Sequence, residues 1–189
     1  VQALLLSFGV IFVAELGDKS QLMALAFAAR YRAVPVLVGI TAATAVVHAI
    51  SVVVGASVGS ALPTGTISVV AGLAFVGFGL WTLRGDRLSE AEAARAERSD
   101  RSAVVAASIA FFLAELGDKT MLATVTLATT EEAWGTWAGS TLGMVAADAL
   151  AIGVGRVLGT RLPERAIRVG AAVAFFAFGA VLVVSGLRD

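Results

Sequence analysis

Glu15-Leu16-Gly17-Asp18-Lys19-Ser20 lies in the middle of an apolar segment that runs from about residue 3 to residue 29. A run of that length reads as a membrane-spanning helix, because about 20 residues at a rise of about 1.5 Å cross the hydrocarbon core. Charges at the centre of such a helix cost roughly 2.5–3.5 kcal/mol each on insertion scales, so they persist only where they face protein or water. On one continuous helix turning about 100° per residue, Asp18 and Lys19 fall within roughly 60° of Glu15, and the three share a face. The same six residues return, with one conservative change, at Glu115-Leu116-Gly117-Asp118-Lys119-Thr120.

The composition around this repeated stretch is that of a polytopic all-α membrane protein. Of 189 residues, 58% are hydrophobic and 15% charged, with a mean hydropathy of +0.90. Net charge is zero, which offers no basic field for a nucleic-acid partner. Cysteine is absent, so neither a disulfide nor a thiolate metal site is available. The first span carries charge at its centre and lacks a basic n-region, so it does not read as a cleaved signal peptide. Hydropathy places six transmembrane helices at about 3–29, 35–60, 66–84, 102–129, 135–159 and 167–187. Residues 85–101, dense in Arg, Glu, Asp and Ala, form a solvated linker between them.

Displaced by 100 positions, the second half lies on the first without a gap. Gly39 and Thr41 meet Gly139 and Thr141, Leu62-Pro63 meets Leu162-Pro163, and Phe75 and Phe78 meet Phe175 and Phe178. Identical residues occupy 26 of the first 89 positions, so the chain is an internal duplication of three spans. Residues 1–84 are the first three-helix repeat and 102–189 the second. Three crossings is an odd number, so the second repeat enters the membrane from the opposite side, giving two inverted three-helix repeats. Arg30 and Arg32 follow span one, Arg84 to Arg101 include five arginines after span three, and Arg156, Arg161, Arg165 and Arg168 follow span five. The loops after spans two and four carry no Lys or Arg. Loops one, three and five are therefore expected in the cytoplasm and both termini outside.

The chemistry sits in four carboxylates, Glu15, Asp18, Glu115 and Asp118. Brought together in a low-dielectric site, four ionised carboxylates repel one another and take up protons or a cation. Lys19 and Lys119 offset two of the charges, leaving about −2 to match one divalent ion. The chain has 12 Arg and only these two Lys, which points to a need for a compact, titratable ammonium. The plainer reading is an i,i+4 pair with the motif Glu on the same helix. Gly17 and Gly117 allow close helix approach or free a carbonyl. Ser20, Thr120, Gln21, Thr124, Thr126 and Ser108 add polar atoms that line a path or merely bond back to their own helix. His48 and Asp148 occupy equivalent positions near midspan and are expected in the ion or proton path. Met23, Met121 and Met144 read as packing, and Glu131 and Glu132 as a loop that concentrates cations at the outer mouth.

The duplicated Glu-x-Gly-Asp-[Lys/Arg]-[Ser/Thr] signature resembles the small manganese/calcium–proton exchangers related to the Golgi and chloroplast-envelope manganese transporters. Both copies match in full, and the resemblance covers essentially the whole chain. It implies export of Mn2+, or of Ca2+ in some members, against inward protons, with the motif acids as the metal site. It also implies a compact bacterial plasma-membrane protein whose partners are the metal, protons and the lipid bilayer, with no resident cofactor and no enzymatic activity. Assembly into a homo-oligomer stays open. Oxygen-only ligation by itself suits Mg2+, Ca2+ or Mn2+, and a contribution from His48 would favour Mn2+. Two other classes compete: a passive divalent-cation channel and an intramembrane phosphatase. Phosphate chemistry would want arginine beside the acids, and no arginine lies at midspan.

Overall fold

The computed structural model describes residues 1–84, 102–158 and 164–188, so the linker at 85–101 lies outside the described residues. Among the described residues the chain forms eight helices and no strand. They are α1 (Gln2–Glu15), α2 (Lys19–Arg30), α3 (Ala33–Gly59), α4 (Thr64–Arg84), α5 (Ala103–Glu115), α6 (Lys119–Leu127), α7 (Ala133–Leu158) and α8 (Glu164–Gly186).

The motif is not helical throughout, which corrects the expectation of one continuous helix with Glu15, Asp18 and Lys19 on a common face. Helix α1 ends at Glu15 and α2 begins at Lys19. Between them Leu16 has φ −61° and ψ 117°, Gly17 has φ +76°, and the Asp18 N–H donates to the Glu15 carbonyl at 3.1 Å. These are the angles and the hydrogen bond of a type II β-turn, whose third residue needs positive φ and so favours glycine. The second copy repeats it: Leu116 at −61°-like values (φ −63°, ψ 113°), Gly117 at φ +79°, and Asp118 N–H to the Glu115 carbonyl at 3.1 Å.

Among the described residues, four helices are long and apolar enough to cross a membrane: α3, α4, α7 over Ala133–Gly155, and α8 over Arg165–Gly186. Helices α1 and α5 are apolar but shorter, because the turns cut them. Spans expected at 3–29 and 102–129 are thus each two helices meeting at a turn.

The halves pack by exchanging partners. Along α1 and α7, Gly135 meets Ala3 and Leu4, Gly139 meets Leu4 and Phe8, and Gly143 meets Phe8 and Phe12, so the two helices run parallel. Along α3, Gly39 meets Val104 and Ala107 of α5 and Gly55 meets Val125 of α6, again parallel. A Cβ at Gly39 or Gly139 would strike the backbone of Val104 or Leu4. Small residues of this kind bring helices close where lipid supplies no hydrophobic drive and packing must hold them. Helices α4 and α8 run antiparallel, with Gly72 against Gly179 and Gly186 against Gly65. At their contact the repeated phenylalanines pack on one another: the Phe75 ring lies 5.9 Å from Phe175 and 4.7 Å from Phe178. The outward faces carry Val38, Val53, Leu73, Leu80, Val173 and Val181, an apolar surface suited to lipid.

Candidate cation site

The two turns bring their charged residues to each other. Lys119 Nζ lies 2.7 Å from Asp18 Oδ1, and Lys19 Nζ lies 3.3 Å from Asp118 Oδ1. Each lysine therefore reaches the aspartate of the opposite repeat. The turn breaks the continuous helix on which the expected i,i+4 pairing with Glu15 or Glu115 rests. The pairs are equivalent in sequence but differ in setting: the Lys119 side chain is 3% exposed and that of Lys19 is 19% exposed.

Glu15 and Glu115 close α1 and α5 and are buried. The Ser20 hydroxyl sits between both Glu15 oxygens, at 3.1 and 3.2 Å, and Asp18 Oδ2 at 3.2 Å. The Thr120 hydroxyl donates to Glu115 Oε2 at 2.9 Å, while Glu115 Oε1 has no hydrogen-bond partner among the described residues. A hydroxyl five residues past the Glu reaches it only because the chain turns back at the glycine. Among the described residues, no three Asp, Glu or His side chains form a ready metal-holding group. The aspartates hold ammonium groups.

Sequence reasoning did not single out the contrasting supports of the two turns. The Gly17 N–H donates to Gln21 Oε1 at 2.8 Å, and Gln21 Nε2 donates to the Ala147 carbonyl of α7 at 3.0 Å. At the equivalent place the Gly117 N–H meets Met121 Sδ at 3.1 Å. Gln21 thus ties the first turn to α7, one residue before Asp148. The signal was present as Gln21 against Met121 under the 100-residue shift. Met121 is thus a turn acceptor, not only packing.

Asp148 is buried, and neither of its side-chain oxygens has a hydrogen-bond partner among the described residues. His48, its counterpart on α3, is buried with Nδ1 3.4 Å from Thr141 Oγ1. Thr126 and Thr124 donate back to the Leu122 and Thr120 carbonyls of their own helix, and Ser108 donates to the Gly39 carbonyl. Glu132 is exposed and accepts the N–H groups of Trp134 at 2.7 Å and Gly135 at 2.6 Å. The two bonds, that from Gly135 first, hold its carboxyl below the usual glutamate value.

Buried acids matched by ammonium groups inside a lipid-compatible helical shell define an integral membrane transporter of cations. The chain belongs to the GDT1 family of divalent cation/proton antiporters, whose pattern matches residues 3–90 and 103–189. It is 34% identical over 171 residues to a Vibrio cholerae serotype O1 protein named "Putative manganese exporter", covering 89% of this chain and 84% of that one. A GDT1-like protein of Synechocystis sp. is 32% identical over 190 residues, covering 91% and 92%. The chloroplastic protein PAM71 of Arabidopsis thaliana is 35% identical over 206 residues, covering 94% of this chain and 55% of its own length. No solved structure matches the chain.

Proposed function

We propose that the chain exports Mn2+, with Ca2+ as a second substrate, from the cytoplasm in exchange for protons, using Glu15, Asp18, Glu115 and Asp118 as the shared site. The observation that carries this reading is the reciprocal pairing of Lys119 with Asp18 and Lys19 with Asp118 across two identical turns. Each aspartate already holds a cationic group, so an arriving divalent ion must displace an ammonium and draw the acids together. The donors are all oxygen, which suits Mn2+ and Ca2+. The name of the Vibrio relative supports manganese. Four carboxylates and two ammonium groups leave a charge that one divalent ion or two protons neutralise, so metal and protons compete for the same oxygens. The metal is cargo, not a resident cofactor. Ser20 and Thr120 orient the glutamates, and Asp148 is a proton acceptor beside them.

The proposed architecture is six crossings in two inverted repeats, with α1–α2 and α5–α6 each counting as one. Six alternating crossings require α1 parallel to α7, α3 parallel to α5, and α4 antiparallel to α8, and the helix contacts have those directions. Interrupted helices at the centre of inverted repeats are a recurrent transporter device, because a turn exposes helix ends to an ion. The arginine pattern supports an orientation with both termini outside a bacterial plasma membrane.

In proteoliposomes with a pH gradient, Glu15→Gln and Glu115→Gln should each abolish Mn2+-driven proton movement while the protein stays folded. Asp148→Asn should cause a smaller loss, chiefly in pH dependence. Wild-type exchange by the Gln proteins would defeat the shared-carboxylate reading. Mn2+ flux indifferent to the proton gradient would favour a channel.

A further inference from the structure

The seam between α1 and α7 and the seam between α3 and α5 are equivalent under the 100-residue shift, but their linings differ. In the first, Gly139 seats against Leu4 and Phe8, and Gly143 against Phe8 and Phe12. In the second, Gly39 seats against Val104 and Ala107, where an added Cβ would lie 2.8 Å from that of Ala107. The residue of α1 equivalent to Ala107 is Ser7. On α7, Thr136, Ser140, Met144 and Asp148 recur every four residues and share one buried stripe. Thr136 and Ser140 correspond to Val36 and Ile40 of α3. Ser7, Thr136, Ser140 and their apolar counterparts are all 0% exposed, so the contrast lies wholly inside the protein.

Packing does not account for two of these hydroxyls. Thr136 Oγ1 donates to the Glu132 carbonyl at 2.9 Å. Ser7 Oγ and Ser140 Oγ have no hydrogen-bond partner among the described residues, and neither has either side-chain oxygen of Asp148. A serine or threonine within a helix ordinarily bonds to the carbonyl one turn back, as Ser51 and Thr124 do. A buried polar group left unpaired costs about 1–3 kcal/mol, which the alanine at 107 avoids.

Helices α1 and α7 run parallel, so the seats of Gly139 and Gly143 fix which residues stand level. Ser7 and Ser140 share one level, and Glu15 and Asp148, each eight residues further on, share another about 12 Å deeper. Ile11 and Met144, both buried, fill the turn between them. The Met144 side chain is unbranched and adaptable, and its sulfur accepts from Thr44 Oγ1 at 3.4 Å. In the other direction Thr136 leads to Glu132, exposed just before α7.

We propose that Ser7 and Ser140 relay protons along the α1–α7 seam, between the face bearing Glu132 and the level of Glu15 and Asp148. A hydroxyl donates and accepts at once, so it passes a proton on without holding a charge. A divalent ion needs several oxygen ligands, carboxylates among them, and the outer part of this seam has only hydroxyls to give it. The relay therefore carries protons and not the metal. Ile11 and Met144 shut it in this structure, which keeps protons from crossing freely. The α3–α5 seam, with Ala107, Val36 and Ile40, has no such relay toward the opposite face. The relay rests on the proton coupling proposed above.

Proteoliposomes carrying wild type, Ser7→Ala, Ser140→Ala or both changes would be compared in two modes. One is Mn2+ against protons; the other is Mn2+ against radiolabelled Mn2+ at equal pH on both sides. Each single change should slow Mn2+/proton exchange severalfold, and the double change by about tenfold, the low side of what a positioned proton-transfer group contributes. Mn2+/Mn2+ exchange, which moves no proton, should keep the wild-type rate in all three. Neither change removes a hydrogen bond, so the variants should melt no lower than wild type. Proton exchange at the wild-type rate, equal slowing in both modes, or a lower melting temperature would overturn the relay. Wild type that moves Mn2+ without protons would defeat the proposed function and the relay together. Proton-coupled wild type with unslowed serine variants would defeat the relay alone.

Discussion

Removing one lysine tests the cross-repeat pairing most directly. In Lys119→Met the apolar stem stays and the ammonium leaves a carboxylate whose side chain is 0% exposed, at 2.7 Å. Taking one partner from a buried ion pair costs about 3–5 kcal/mol. The lower end applies, about 3 kcal/mol, because Ser20 still donates to Asp18 at 3.2 Å. The symmetric change, Lys19→Met, acts on a pair at 3.3 Å whose lysine is 19% exposed, and water offsets part of the loss. A cost of about 1–2 kcal/mol is expected there, between the surface and buried limits. In a chain of this size, 3 kcal/mol lowers the melting temperature by roughly 10 °C. Tryptophan fluorescence during thermal unfolding in detergent would measure both. The double change Asp18→Asn with Lys119→Met removes both charges and should recover most of the loss, since coupled residues are non-additive. A Lys119→Met protein that melts within about 2 °C of wild type, against the shift that 3 kcal/mol implies, would refute the pairing. So would a double variant as unstable as the single one.

Gly17→Ala and Gly117→Ala should each cost about 1 kcal/mol, because an L-residue at positive φ is strained, and both should slow exchange. Unchanged melting in both would argue against the type II turns. Glu132→Gln tests the N–H cap before α7. Because the carboxyl is held below its usual value, its stabilisation is present above the ordinary glutamate range and fades as pH falls through the lowered value. Wild type should therefore melt higher than Glu132→Gln at neutral pH, and the two curves should converge in acid. A constant gap across pH would refute an ionic cap.

Membrane class and the duplication could be read from the order of residues alone. Hydropathy is a property of composition along the chain, and the 100-residue offset that pairs Glu15 with Glu115 and Phe75 with Phe175 needs no coordinates. The same offset picked out the four acids and two lysines, since charge at the centre of an apolar run stands out locally. The turn was harder to read. One glycine in an apolar run costs about 1 kcal/mol in a helix, too little to signal a break, although Gly17 and Gly117 hold the position a type II turn demands. Pairing was decided only by tertiary structure. Lys19 stands four residues after Glu15, which suits a helical pair, but the break cancels that geometry and the packing of the two halves supplies Asp118 instead. Nor could two nearly identical motifs announce that Gly17 lies against α8 while Gly117 is exposed. That difference comes from how α8 and α4 lie against them, and contacts between distant segments break a symmetry that the local sequence retains.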